Sequence, residues 1–196
     1  MIFMRKTIRQ LQFRRRREAK TNYKKRFAAV KGGMNRVVVR KTNKRIISHI
    51  SKYTETGDLT LAYADSKELS KRGWPSRANR PTAYLVGALL AKKAVANKEL
   101  KDQELVLDIG ISSPVKDSIP FAFARGCIDA GLRVRSGAQV DAKVYNYSDV
   151  KYVKELKEKS PEKYQKQYGS YIKEGKEPET LASLFNKVKE EILNGK

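Results

Sequence analysis

A chain of 196 residues, 40% of them hydrophobic, is long enough for one domain with a modest core and an appendage. Its formal charge of +22 and pI of about 10.1 exclude an ordinary near-neutral enzyme and predict attraction to a polyanion, either nucleic acid or an anionic membrane surface. The charge is uneven: residues 1–50 hold 17 Lys or Arg against one acid, a net of +16, whereas the other 146 hold 26 against 20, a net of +6.

The basic segment comes first. It runs from Met1 to about Asn35 and breaks at Gly32-Gly33. Its apolar residues (Ile8, Leu11, Phe13, Tyr23, Phe27) form no sustained stripe. Such an arm is mobile alone and gains helix when its charges are neutralised. Three strand-like pieces follow: RVVVRKT (36–42), RIISHISKY (45–53) and LTLAYA (59–64). The turn TETGD, with Gly57 at positive φ, joins the last two into an antiparallel meander, and alternation puts Leu59, Leu61 and Tyr63 on one face.

A polar, loop-like passage over 68–80 leads to Pro81, which suits the first turn of a helix carrying TAYLVGALLAKKAVAN. Leu85, Ala88, Leu89 and Ala96 share one side of that helix, and Lys92 and Lys93 point elsewhere. ELVLDIGI (104–111) reads as a strand buried on both faces. A helix over about 119–130 starts near Asp117-Ser118 and stops at Gly131, and LRVRSG (132–137) is the last strand. The run from 104 to 136 is then a right-handed parallel crossover. The order β-β-β-α-β-α-β makes an α/β body, a mixed sheet of about five strands with helices on its faces.

From about Ser148 the composition turns to Lys, Glu and Tyr. Ser160-Pro161-Glu162 starts a helix, and Leu181, Leu184, Phe185, Val188 and Ile192 mark an amphipathic one closing near Gly195. The expected division is an arm (1–35), an α/β body (36–147) and a helical C-terminal extension (148–196) that docks on the body or on a neighbour.

Cys127 is the only cysteine, so an intramolecular disulfide is excluded and a reducing, intracellular setting is expected. Its apolar neighbours favour a packed thiol over a nucleophile. No apolar run reaches membrane-spanning length. Asp65, Asp108, Asp129 and Asp141 could suggest a metal-carboxylate nuclease, but two-metal chemistry needs carboxylates converging from several strands, and RVVVR supplies none. His49 is the only histidine, without a cysteine or second histidine to share zinc, and reads as a cross-strand packing residue. No phosphate-loop spacing is present, so neither cofactor nor metal is expected.

The segment RRRREAKTNYKKR could be a localisation address, a membrane tether or an RNA-binding arm. A tether wants an amphipathic apolar face or a lipidation site, which it lacks. RNA wants guanidinium groups for phosphates and aromatic faces for bases. Arg14, Arg15, Arg16 and Arg17, then Lys20, Tyr23, Lys24, Lys25 and Arg26, supply both. The body adds RKTNKR (40–45), a turn offering Arg40, Lys41, Asn43, Lys44 and Arg45. It also adds KRGWPSRANRP (71–81), where Trp74 lies among Lys71, Arg72, Arg77 and Arg80. Two readings of Trp74 stand: a core residue, or a stacking contact with RNA.

FRRRREAKTNYKKR, RVVVRKTNKRIISHI, GDLTLAYADSKELSKRGW, NRPTAYLVGALLAKKA, LVLDIGI and FARGCIDAGLRV, in that order from about Phe13 to Val140, resemble the archaeal-type 5S rRNA-binding protein of the large ribosomal subunit, family eighteen of that subunit. The resemblance implies a ribonuclease H-like topology without its catalytic carboxylates. It implies a non-enzymatic structural role in the cytoplasmic ribosome: holding 5S rRNA beside 23S rRNA in the central protuberance, among neighbouring large-subunit proteins, with no membrane and no small-molecule substrate. Carried over by motif, Arg14 to Arg17, Tyr23, Lys24 and Arg26 match the family's arm. Arg40, Lys41, Asn43 and Lys44 match its first turn, and Arg72, Trp74, Arg77 and Arg80 lie in a loop its archaeal and eukaryotic members share. A magnesium-dependent nuclease using Asp65 and Asp108, and a general RNA chaperone, are the rival expectations.

Overall fold

The computed structural model describes residues 11–97, 99–100, 102–136 and 150–194. Ile8, Asp141, Gly195 and the boundary near residue 148 lie outside them. Among the described residues the chain forms strands β1 (Arg36–Lys41), β2 (Ile46–Thr54), β3 (Gly57–Asp65), β4 (Leu105–Asp108) and β5 (Val134–Arg135). They make one sheet in the order β3-β2-β1-β4-β5. β1 is antiparallel to β2 and β2 to β3, while β4 lies parallel to both β1 and β5, as the meander and crossover predict.

One correction concerns β3. Ile50 pairs with Ala62 but Ser51 pairs with Thr60, so Leu61 is the extra residue of a bulge. A bulge breaks the period of two, and the residues beyond it change face. Ala62 and Ala64 therefore join Ile50 and Ser48 on the core side, while Tyr63 pairs with His49 on the other. Leu59, Leu61 and Tyr63 do not share a face.

Two body helices, α4 (Arg80–Val95) and α5 (Ile119–Asp129), cover the core side of the sheet, where they pack on Val37, Val39, Ile46 and Ile50. Each has proline in its first turn, and the Asn79 side chain caps α4 by accepting from Thr82 N. α4 is buried on all sides from Thr82 to Ala91, which exceeds the single stripe expected, because the sheet, α5 and α8 (Leu181–Asn194) all pack on it. Ala96, expected on the stripe, is exposed at the helix end. α4 and α5 touch through glycines. A Cβ at Gly87 would lie 2.1 Å from Phe123 O, and one at Gly126 would lie 2.0 Å from Tyr84 O.

The passage over 68–80 is not all loop. Asp65 and Glu68 form a capping box around a short helix, α3 (Ser66–Ser70). The chain then turns Trp74 into the core. β4 is shorter than expected because Gly110, at φ 66°, leaves the strand, and Ile111 is 64% exposed. In the C-terminal part, α6 (Val150–Lys159), α7 (Pro161–Lys173) and α8 are helical. Phe185, Val188 and Ile192 of α8 complete the main core, with Phe185 5.8 Å from Trp74 and 5.7 Å from Tyr84 between ring centroids. Val153, Tyr164, Tyr168, Tyr171 and Leu181 form a second, smaller core. Cys127 is fully buried, and burial pushes its thiol pKa far up, so it is a packed, unreactive side chain. No helix among the described residues is long and apolar enough to cross a membrane.

Candidate nucleic-acid interface

The sheet face opposite α4 and α5 is polar. Alternation along β1 sends Val37 and Val39 to the core and Arg36, Val38 and Arg40 to this second face, where β2 contributes His49 and Ser51. The arm's helix α2 (Tyr23–Lys31) adjoins it, started by the Asn22 side chain accepting from Lys25 N and stopped by Gly32 and by Gly33 at φ 66°. Between arm and sheet lies an open cavity of about 790 Å³, lined by Arg15 and Lys25 of the arm and by Arg40, His49 and Arg135 of the sheet.

An alternating ladder of charges crosses this face. Arg26 lies 2.8 Å from Asp58, and Asp58 lies 2.7 Å from Arg36. Arg36 lies 3.2 Å from Asp108, which Arg40 approaches to 3.0 Å. The Arg36 side chain is 5% exposed and also donates to Ser51 Oγ. A guanidinium so buried persists only because two carboxylates and a hydroxyl answer it. Burial raises the Asp108 pKa, but the Arg40 charge, the Gly110 N–H and the Arg36 charge outweigh it, so the carboxyl titrates below its ordinary range. His49 is held neutral, first by desolvation and then by the Arg40 and Arg36 charges.

The expected arm residues divide by exposure. Arg14, Arg15, Arg16 and Arg17 form a one-turn helix, α1, with all four side chains in solvent. Arg14 and Lys20 both pair with Glu18 at 2.8 Å, and Arg15 donates to Thr21 Oγ1. Tyr23 packs on Phe13 with centroids 5.4 Å apart, and Lys24 and Lys25 are exposed. At the first body turn Thr42 bonds twice to Arg45 O and accepts from Arg45 N, which leaves Lys41, Asn43 and Lys44 exposed at the tip. Arg40 is turned inward to Asp108, and Arg45 lies 3.6 Å from Asp65.

The second body loop requires a correction. Trp74 is 1% exposed and its indole N–H donates to Thr82 Oγ1 at 2.9 Å, so it is a core residue and offers no ring to a base. Arg77 is also committed. It donates to Ser170 O and to Glu174 Oε1 at 2.6 Å, and it stacks 5.1 Å over Tyr171. Asn79 donates to the Tyr171 hydroxyl, and Lys176 donates to Gly73 O. This loop fastens α7 to the body; Arg80 is exposed at its end and Arg72 is half-buried.

The carboxylates of the nuclease alternative have other work. Asp65 caps α3, and Asp129 accepts from the Tyr84 hydroxyl and pairs with Arg125 at 2.9 Å. Asp108 is neutralised by two arginines. Sequence reasoning missed Arg36, Asp58 and Arg135 as parts of one charged face. The available signal was two arginines four residues apart in a valine-rich strand, which puts both cations on the face opposite Val37 and Val39.

Residues 8–105 match the family described as ribosomal large subunit proteins 60S L5 and 50S L18. The large ribosomal subunit protein uL18 of Thermofilum pendens (strain DSM 2475 / Hrk 5) is 41% identical over 183 residues, covering 91% of this chain and 92% of that protein. The family match and the near full-length similarity agree, and the chain belongs to this family of large-subunit ribosomal proteins, a structural component of the cytoplasmic ribosome and not an enzyme.

Proposed function

We propose that this protein binds 5S rRNA and helps attach it to 23S rRNA in the central protuberance of the large subunit, beside neighbouring large-subunit proteins. The observation that carries this reading is the continuity of positive charge from the exposed Arg14–Arg17 helix, through Lys20, Lys24 and Lys25, to the arginine face of the sheet. Phosphate contacts from such a surface fix register and orientation, and a strand's exposed bases can then stack on Tyr23. Lys41, Asn43 and Lys44 form a second point of contact, and Arg72 and Arg80 a third, weaker one. Arm (1–35), body (36–147) and C-terminal extension (148–196) then divide the work: the arm follows the phosphates, the body sets orientation, and the extension buttresses the body.

Filter binding to isolated 5S rRNA tests this. Tight binding that is lost on deleting residues 1–26 supports the reading. Equal affinity for an unrelated RNA of the same length would leave only a general RNA-binding role.

A further inference from the structure

The cavity between arm and sheet has features that backbone tracking does not explain. Among the described residues its walls carry seven Lys or Arg but only two carboxylates, Asp58 and Asp108. Both carboxylates are already engaged by Arg26, Arg36 and Arg40. Lys25 and Arg135 face the same space, and neither has an ion-pair partner among the described residues. Excess positive charge in a cleft with low-dielectric walls concentrates field and attracts an anion.

Charge alone would suit a bare phosphate, but size and lining point further. About 790 Å³ lies within the range of about 300–1,000 Å³ found for pockets that hold a small organic ligand. The walls also include apolar side chains, among them Ala29, Met34, Val38 and Ile109, against which a ring can lie. Half-buried His49 adds an imidazole able to bond a base edge or a ribose hydroxyl.

We propose that this cavity is a nucleotide pocket, taking one nucleoside monophosphate unit with its phosphate toward Lys25 and Arg135 and its base against the Met34–Val38 wall. The unit is either a nucleotide unstacked from an RNA strand or a free nucleotide, since the recognised chemistry is shared. The strand source rests on the RNA-binding reading above; the pocket does not.

His49 is the chain's one histidine, so its ring resonances report on the cavity without assignment. The full chain is titrated with 5′-UMP, uridine, inorganic phosphate and a single-stranded hexauridylate while those signals are followed by NMR. UMP is expected to shift them saturably, and a phosphate dianion nearby raises the imidazole pKa. Uridine and inorganic phosphate are expected to bind at least about tenfold more weakly, each lacking one half of the contacts. Lys25→Glu with Arg135→Glu is expected to weaken UMP by about tenfold or more. Thr60→Trp, which fills the cavity and removes no cation, should do the same; circular dichroism checks that both variants fold.

A hexauridylate shift like that of UMP assigns the strand source, and a UMP shift without one assigns the free nucleotide. Unmoved His49 signals at saturating UMP and RNA would overturn the pocket, even if 5S rRNA binds as proposed. Inorganic phosphate binding as tightly as UMP would overturn the nucleotide assignment.

Discussion

Arg36 is followed by three valines in a buried strand, yet it organises the polar face of the sheet. Replacing it with Met would keep the stem's packing and strand Asp58 and Asp108 beside each other without their shared cation. Those carboxylates keep 28% and 20% of their side-chain exposure. Solvent therefore moderates the penalty to about 2–3 kcal/mol, below the loss for a fully buried pair. Urea denaturation of Arg36→Met measures it. Gly87 is a different case, because a Cβ there would collide with the backbone carbonyl of Phe123, which cannot swing aside. Gly87→Ala should cost about 3 kcal/mol or more through forced separation of α4 and α5, seen as a lower urea midpoint. His49 makes stability depend on pH. Its folded pKa lies below 6.5, so the unfolded chain takes up the proton first as pH falls. Stability is full above about pH 6.5 and declines below it, and replacing His49 with Gln should flatten that decline in thermal melts between pH 7 and pH 5.

At the scale of elements, Arg26 and Arg77 do the same job for different segments. Arg26 ties α2 to the β2–β3 hairpin through Asp58, and Arg77 ties α7 to the loop before α4 through Glu174 and Tyr171. Arg26→Gln should loosen the first tie while leaving the Asp58–Arg36 pair in place. Amides of Tyr23–Lys31 should then exchange with deuterium faster, while those of β1 and α4 keep their protection. These ties also show what could be read from residues alone. The strands, α4, α5 and α8 were legible because periodicity, Pro81 and Pro120, and Gly131 are local signals. The bulge at Leu61 was not, because alternation over six residues continues to look regular when one residue is inserted. Trp74 was undecidable for a related reason: four nearby cations describe its neighbours in sequence, whereas Thr82 and Phe185 describe its neighbours in space. Likewise Arg40 and Arg77 read as surface charges until the fold supplied Asp108 and Glu174.

For the molecule as a whole, +16 of the +22 net charge resides in the first 50 residues. If about six of those cations meet phosphates, log affinity for 5S rRNA should fall against log salt with a slope of roughly −4 to −5. A nitrocellulose titration across salt concentrations reads that slope, and a value near zero would mean that the arm does not meet the backbone. The placement of Phe185 has a consequence for synthesis. Trp74 and Tyr84 gain the Phe185 ring only when a residue about a hundred positions later has been made. A nascent chain therefore presents its basic arm well before its main core can close. The arm is free to meet RNA while the body is still unfinished, so the order of emergence favours capture first and consolidation afterwards.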